Sequence, residues 1–167
     1  MVLIGVLGPS KFKSSKKIEI AANNIVETLS SAKFDILISP DKQSTAEFIA
    51  NKAKDKIKII GINYQDDTDN DYKGLNRELC DELIDVKTWE NQPKELIKRA
   101  DSLIILGLGV GVVWEICLTK FYRKEKCKVI ILTDVTTEKL PKSLNQELPI
   151  IYTTSDKLKE HLAELNE

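Results

Sequence analysis

The sequence has few of the residues that would mark a disulfide scaffold, a metal site or a membrane protein. Its three cysteines, Cys80, Cys117 and Cys127, are odd in number and form no C-x-x-C pair, which is typical of thiols in a reducing compartment. No apolar run reaches the length of about 20 residues that crosses a bilayer. Met1 is followed directly by a strand-like segment and not by a signal peptide. We therefore expect a cytoplasmic protein with no metal site and no membrane partner.

The chain also lacks an excess of charge of either sign. It has 25 Lys and Arg against 26 Asp and Glu, a formal net charge of −1 and a pI near 6.0. Such a balance gives no electrostatic reason to bind a nucleic acid polymer or an anionic membrane. The expected partner is therefore a small molecule.

Short apolar runs alternate with helical patterns along the whole chain, which is typical of βαβ units and a parallel sheet. Its 167 residues suit one domain, 1–167, that buries roughly 70% of the surface of the unfolded chain. No internal repeat or interdomain linker is present. The pattern predicts an α/β fold, an open parallel sheet with helices on both faces.

The predicted strands are residues 2–7, 34–39, 57–62, 102–106, 128–133 and 149–153, with an edge strand near 84–88. The predicted helices are 18–29, 45–53, 92–99, 112–123 and 156–165, the last capped by Ser155, and one or two helical turns within 75–83. The polar run 63–73 is predicted to be a mobile surface loop. Its acidic residues 66–71 lack the glycine and glutamate of a calcium loop, so we expect no metal there.

The segment after the strand 102–106 carries the strongest functional signal. Gly107, Gly109 and Gly111 precede a helix, and Glu115 follows one turn later. Unpaired backbone N–H groups at such a helix start bind anions, and glycines let the anion approach the main chain. We expect the three glycines and Val112 to contact a phosphate or ribose, and the Glu115 carboxylate to face the same crevice.

A second loop is expected at the same crevice. The first strand ends at Gly8, and Ser10, Lys13 and Ser14 follow. In an open doubly wound sheet, ligands bind where neighbouring connections leave in opposite directions, and the first strand borders that point. These residues would supply hydroxyl, ammonium and N–H donors to a phosphate. The alternative is a solvated basic loop.

Each of these residues also has a purely structural interpretation. The glycine turn can serve only to let helix and strand pack closely, and Glu115 can be an acid favoured by the helix macrodipole. However, the surrounding helix is apolar nearly all round, so we expect its start to be buried. A buried carboxylate without a partner or ligand is costly. Trp114 is expected mainly in the core, with base stacking as the alternative. Trp89 either covers a nucleobase or closes a hydrophobic seam.

The glycine segment resembles the signature of the LONELY GUY-like proteins and the wider SLOG group of Rossmann-like nucleotide binders. In that group a Pro-Gly-Gly-x-Gly-Thr-x-x-Glu run follows a strand that opens with Ala-Asp. Ala100 and Asp101 match the opening, and Gly109, Gly111 and Glu115 match two glycines and the glutamate. The resemblance implies a Rossmann-like fold, a nucleotide or nucleoside ligand and a homodimer.

Several motif positions differ from this signature. Gly107 replaces the proline, Leu108 a glycine and Val112 the threonine, while Gln92 stands where the active phosphoribohydrolases carry a basic residue. The glycine run expected after the second strand is replaced by Ser-Pro-Asp at 39–41. These differences predict reduced or absent phosphoribohydrolase activity.

The spacing from Gly111 to Glu115, with Trp114 directly before the acid, is also similar to nucleoside deoxyribosyltransferases, in which the glutamate is the nucleophile. The G-x-G-x-G spelling lacks the third glycine of the dinucleotide fingerprint and occurs late in the chain, so we expect no NAD and predict no cofactor.

Three hypotheses follow. The first is a nucleotide-binding protein with reduced or no catalysis. The second is an active N-glycosidic-bond enzyme, a phosphoribohydrolase or a deoxyribosyltransferase, in which Glu115 is catalytic and captures or stabilises the sugar cation. The third is a non-catalytic interaction module whose glycine turn only packs.

Overall fold

The computed structural model describes residues 1–65 and 74–166 of the chain. The elements in chain order are β1 (Leu3–Leu7), α1 (Lys16–Ala32), β2 (Asp35–Ile38), α2 (Thr45–Ala53), β3 (Ile59–Tyr64), β4 (Glu82–Val86), α3 (Asn91–Arg99), β5 (Ser102–Ile105), α4 (Val110–Tyr122), β6 (Lys128–Leu132), α5 (Lys142–Glu147), β7 (Ile150–Thr153) and α6 (Leu158–Leu162). Short 3₁₀ turns occur at Arg77–Leu79, Ser155–Lys157 and Ala163–Asn166.

The strands form one sheet in the order β4-β3-β2-β1-β5-β6-β7, and every neighbouring pair within it is parallel. The register pairs Gly5 with Leu37 on one side and with Leu103 on the other. The chain therefore builds outward from β1 in one direction up to β4, and then returns to place β5, β6 and β7 on the other side. The predicted α/β fold with an open parallel sheet is confirmed.

Alternate residues of each strand enter two hydrophobic cores, one on each face of the sheet. On one face Ile4 and Val6 pack in a cluster with residues of α1, α2 and α6. On the other face Leu3 and Leu7 pack in a cluster with residues of α3 and α4, and Leu144 of α5 packs against it. Central strands that are buried on both sides explain the continuous β-branched runs in the sequence. Helices cover both faces, as predicted.

The strand order places a topological switch point between β1 and β5. The connection from β1 crosses one face towards β2, and the connection from β5 crosses the opposite face towards β6. Their loops diverge at the carboxyl edge of the sheet and leave a crevice there. The loops after β1 and β5, which both contain glycines, therefore border one opening.

Some boundaries differ from the sequence-based prediction. Strand β3 extends to Tyr64, which is fully buried, so the predicted surface loop begins later than residue 63. The rest of that loop, including the acidic run 66–71, lies outside the described residues. Helix α4 begins at Val110, two residues earlier than predicted, and the short helix α5 was not predicted.

The prediction that Ser155 caps the last helix is wrong. Ser155 lies inside a 3₁₀ turn that precedes α6. Its backbone N–H and its hydroxyl both donate to Oδ2 of Asp134, at 3.2 and 2.5 Å. The serine therefore joins the loop after β6 to the C-terminal segment and does not satisfy an N–H group of a helix.

Candidate functional site

A cleft of about 330 Å³ lies at the switch point, at the carboxyl edge of the sheet. Four parts of the chain form its walls: the end of β1 and its loop, the loop after β2, the start of α3, and the first two turns of α4. The lining residues are Val6, Leu7, Gly8, Pro9, Ser10, Lys11, Ser39, Asp41, Ser44, Ala46, Trp89, Gln92, Pro93, Gly109, Val110, Gly111, Val112, Trp114 and Glu115.

The N-terminus of α4 opens into this cleft without a side-chain cap. Gly109 is the N-cap residue and has no side chain to accept from the first turn. The first intrahelical bond runs from the Val113 N–H to the Gly109 carbonyl, at 2.9 Å, so the N–H groups of Val110, Gly111 and Val112 have no acceptor within the helix. Together with the helix dipole they provide a site for an anion.

The glycines near the cleft divide into two groups. Gly107 has a φ of +99°, a conformation that L side chains rarely adopt, and a Cβ on Gly8 would lie 2.6 Å from the Cβ of Thr45. The fold therefore needs glycine at these two positions. In contrast, a Cβ on Gly109 or Gly111 would meet no atom within 4 Å. Packing therefore does not require glycine at positions 109 and 111. Both positions face open space beside the N–H groups at the start of α4.

Gly107 does not reach the cleft, although the sequence predicts a ligand contact there. Its N–H donates to the Thr136 hydroxyl at 2.8 Å, and it is absent from the lining. The structure thus assigns Gly107 to the shape of the turn, while Gly109, Gly111 and Val112 line the site. The N–H of Val113 is not free for a ligand, because it donates to the Gly109 carbonyl.

The loop after β1 contributes only part of the predicted set. Gly8 and Ser10 line the cleft, but Lys13 and Ser14 do not. The Ser14 hydroxyl instead lies 3.3 Å from the Glu19 carboxylate on α1. The lysine that lines the cleft is Lys11. The sequence predicts the basic character of this loop but not which lysine reaches the cleft.

Glu115 lies on the second turn of α4 and is partly buried against the cleft. No hydrogen bond or ion pair to its carboxyl group is found among the described residues. Desolvation, followed by the charge of Asp41, raises the pKa of Glu115 to about 8. At neutral pH the group therefore holds its proton, and it can donate a hydrogen bond to a ligand.

Asp41 is a site residue that sequence reasoning missed. It follows β2 at the same edge of the sheet, and its Oδ1 atom is buried with no hydrogen-bond partner in the described structure. Desolvation, followed by the charge of Glu47, raises the pKa of Asp41 to about 6. Its position directly after the strand that pairs with β1 was the available signal, because carboxyl ends of neighbouring parallel strands share one edge.

An aromatic pair forms the side of the cleft that faces α3. The rings of Trp89 and Trp114 stack with centroids 5.9 Å apart at an interplanar angle of 29°. Trp114 is exposed on 37% of its surface and Val110 on 92%, so the expectations that Trp114 lies in the core and that the start of α4 is buried are wrong. Both residues line the cleft, so the pair adds an aromatic, apolar part to its wall.

Gln92, at the position where the resemblance expects a basic residue, is buried and its amide Nε2 donates to the Ile62 carbonyl at 2.7 Å. It therefore holds α3 against β3 and supplies no positive charge. Among the described residues no group of three or more His, Cys, Asp or Glu side chains could hold a metal ion. No described helix is both long and apolar enough to cross a membrane.

No protein-family model matches the chain, and no curated protein matches it in sequence. Solved structures do match in fold. The molybdenum cofactor binding protein from the phototrophic bacterium Rippkaea orientalis aligns with a TM-score of 0.73 at 18% identity, over 99% of this chain and 98% of that one. The molybdenum cofactor carrier protein from Chlamydomonas reinhardtii aligns with a TM-score of 0.68 at 18% identity, over 98% of this chain and 97% of that one. The chain therefore has the Rossmann-like fold of these proteins, which is also the fold that the resemblance to the SLOG group implies.

Proposed function

We propose that this protein binds a small phosphorylated heterocycle, a nucleotide or nucleoside phosphate, in the cleft between the β1 and β5 loops, with reduced or no phosphoribohydrolase activity. One observation carries the proposal: the uncapped N-terminus of α4 opens on a cleft that is also lined by Glu115, whose carboxyl group has no partner in the described part of the chain. Either feature alone has a structural explanation. Because both features lie in one cleft, they favour a ligand that has an anionic group at one end and a polar group next to it.

The phosphate would lie on the N–H groups of Val110, Gly111 and Val112. These donors point along the helix axis, and the dipole adds favourable potential for a negative charge. Lys11 and Ser10 line the same cleft. Their ammonium and hydroxyl groups would neutralise and bind the remaining phosphate oxygens.

The Glu115 carboxyl group would contact the sugar. It lies one turn beyond the phosphate donors and carries a proton at neutral pH, so it can donate to a ribose oxygen or accept from a hydroxyl. Hydrogen bonds to the ligand would offset the desolvation cost of a carboxyl group that has no partner among the described residues.

A carrier role for such a ligand is supported by the names of the proteins with similar folds, which are described as binding or carrying the molybdenum cofactor. The organic part of that cofactor is a phosphorylated pterin, and the same donor set suits a pterin phosphate and a nucleotide. Gln92 supports binding without turnover, because its amide is already used and it cannot serve as the basic helper.

Cleavage of an N-glycosidic bond is the second candidate, because Asp41 and Glu115 line one cleft and differ in pKa. Such a pair can divide acid and base roles. A protonated Glu115 fits a general acid better than a nucleophile at neutral pH. Release of free base from nucleoside monophosphates and deoxynucleosides, lost in Glu115→Gln, would establish this activity.

Calorimetric titration with AMP, GMP and CMP tests the binding proposal, with the matching nucleosides as ligand controls. We expect the monophosphates to bind and the nucleosides to bind at least about tenfold more weakly, because they lack the charge-assisted hydrogen bonds. Gly111→Asp should abolish the phosphate preference, since it adds a carboxylate to the first turn of α4. Gly111→Asn is the matched control of the same size without the charge.

Position 111 suits this test because a side chain there meets open space. Both variants should fold, and Gly111→Asp should be slightly more stable than Gly111→Asn because an acid in the first turn complements the dipole. Equal binding of nucleosides and nucleotides, or a Gly111→Asp variant with an intact phosphate preference, would contradict the proposed site.

A further inference from the structure

We infer that Asp41 selects the ring of the ligand: its carboxylate accepts two parallel hydrogen bonds from the ring N–H and the amino group of a 2-amino-4-oxo heterocycle, the edge that guanine and pterins share. This inference rests on the proposed function and names the chemical class of its ligand. Neither the glycine motif nor the α4 helix start distinguishes one ring from another.

The main chain holds Asp41 in place independently of its side chain. Its carbonyl accepts the Ser44 N–H at 3.2 Å, and the residue forms an isolated antiparallel bridge with Leu75. Ser44 in turn caps α2 by accepting the Glu47 N–H at 3.1 Å. Asp41 lines the cleft, and its backbone is fixed there, which is what a specificity contact needs.

The residues around Asp41 do not supply a hydrogen-bond donor to its Oδ1 atom. Among the described residues, the buried Oδ1 atom of Asp41 has no hydrogen-bond partner, and none of the ion pairs involves this side chain. The nearby Glu47 adds negative charge, and its own oxygens accept from the Gln43 N–H at 2.6 Å and the Asn76 amide at 2.7 Å. A desolvated acceptor beside a second acid requires donors, and the cleft side is where they can come from.

The chemistry of the ring edge decides which heterocycle fits. Two oxygens of a carboxylate match two adjacent donors, and both guanine and pterins offer a ring N–H beside an amino group. Adenine and cytosine offer one amino group beside a ring nitrogen that is itself an acceptor, so one carboxylate oxygen would face a lone pair. With a pKa of about 6, Asp41 is mostly ionised above pH 7 and acts as an acceptor only.

The aromatic pair of Trp89 and Trp114 lines the cleft and supports a planar ring as the occupant. A carboxylate alone could also attract a cation, but the described residues offer no third acidic, His or Cys group to complete a metal site. The cleft thus combines an anion site at α4, an aromatic wall and an acceptor at Asp41, which together describe a phosphorylated heterocycle with a donor edge.

The test is calorimetric titration of the wild-type protein at pH 7.5 with GMP, IMP and AMP. GMP and IMP differ only in the 2-amino group, so their comparison isolates one of the two hydrogen bonds without any mutation. We expect GMP to bind about tenfold or more tightly than AMP, with IMP between them. In Asp41→Asn the preference for GMP over both should disappear, because the amide offers one acceptor and one donor.

Asp55→Asn is the matched control, since Asp55 is an exposed aspartate outside the cleft lining; its ligand preferences should equal those of wild type. A melting curve checks that Asp41→Asn is folded, and if it is not, the GMP and IMP affinities of wild type decide the matter alone. A pterin monophosphate competing with GMP shows which of the two ring systems binds more tightly.

The outcomes separate the two proposals. Binding of all three nucleotides with equal affinity overturns the role of Asp41 and leaves the proposed function standing. A GMP preference that persists in folded Asp41→Asn also overturns it. Failure of every phosphorylated ligand to bind overturns both.

Discussion

The two edges of the sheet treat the same kind of residue in opposite ways. At the amino edge, Asp101 accepts the Leu3 N–H at 2.8 Å and pairs with the Lys124 ammonium at 2.6 Å, and Asp81 accepts the Ile59 N–H at 2.7 Å. At the carboxyl edge, Asp41 has a buried oxygen without a partner and Glu115 has no hydrogen bond among the described residues. Asp81 and Asp101 thus hold strands in place at one edge, whereas Asp41 and Glu115 lack such contacts at the other.

This contrast separates residues that stabilise the fold from residues that cost stability. A carboxylate that accepts a strand N–H satisfies a donor that would otherwise be buried unpaired. A desolvated carboxyl group without a partner makes the native state less stable, and proteins tolerate this cost mainly at functional sites. Mutations at the two edges should therefore have opposite effects on stability and on binding.

The largest expected effect is the pH dependence of stability that Glu115 imposes. Its native pKa of about 8 lies above the ordinary value of 4.5. The free energy of unfolding is therefore unaffected below about pH 4.5, decreases as the pH rises towards 8, and is lowest above it. Glu115→Gln should remove this loss, which is on the order of 5 kcal/mol above pH 8. Its stability advantage should grow between pH 5 and pH 9 when measured by urea unfolding.

Glu138→Gln is the control for this experiment, because Glu138 is an exposed glutamate away from the cleft. It should follow the wild-type pH profile. An advantage of Glu115→Gln that stays constant with pH would mean that the Glu115 carboxyl group is not desolvated in the native protein.

A smaller effect of opposite sign is expected at the amino edge. Asp101→Ala should lower the free energy of unfolding by about 2 kcal/mol, because the buried N–H of Leu3 loses its acceptor. Ligand affinity should not change, since the residue is at the far edge from the cleft. Urea unfolding and calorimetric titration of the same preparation measure both quantities.

Asp101→Asn keeps a carbonyl acceptor for Leu3 and removes only the exposed pair with Lys124, which contributes little. We expect it to lose less than half of what the alanine variant loses. If the two variants are equally destabilised, the ion pair with Lys124 and not the hydrogen bond from the Leu3 N–H is the important contact of Asp101.

The sequence predicts the fold well because periodicity and buried strands are local signals. The two loops of the crevice, Glu115 and the open glycine pair at 109 and 111 follow from that order of elements, since parallel strands bring their carboxyl ends together. Helix α5 was missed because its segment, KSLNQE, has no apolar periodicity. A homodimer, implied by the resemblance alone, stays a prediction.

The details of the site were less predictable because they depend on contacts between distant segments. Nothing in the sequence near Gly107 shows that its N–H is taken by Thr136 after β6. The lysine that lines the cleft is Lys11 and not Lys13, because the direction of each side chain depends on how the loop turns. Asp41 belongs to no sequence motif, and only the structure shows that its Oδ1 atom is buried without a hydrogen-bond donor among the described residues.

The smallest expected effect tests whether the turn of the β5 loop belongs to the structural or to the ligand-binding part of the site. Thr136 is buried, and its hydroxyl accepts the Gly107 N–H at 2.8 Å. Thr136→Val keeps the shape of the side chain and leaves that N–H unpaired, which should cost about 1 kcal/mol of stability. Thr136→Ser keeps the hydroxyl and is the matched control. Because the turn sets the position of the α4 N–H groups, we also expect Thr136→Val to weaken phosphate binding a few-fold. Unchanged phosphate affinity in a destabilised Thr136→Val variant would show that α4 is positioned by its packing alone.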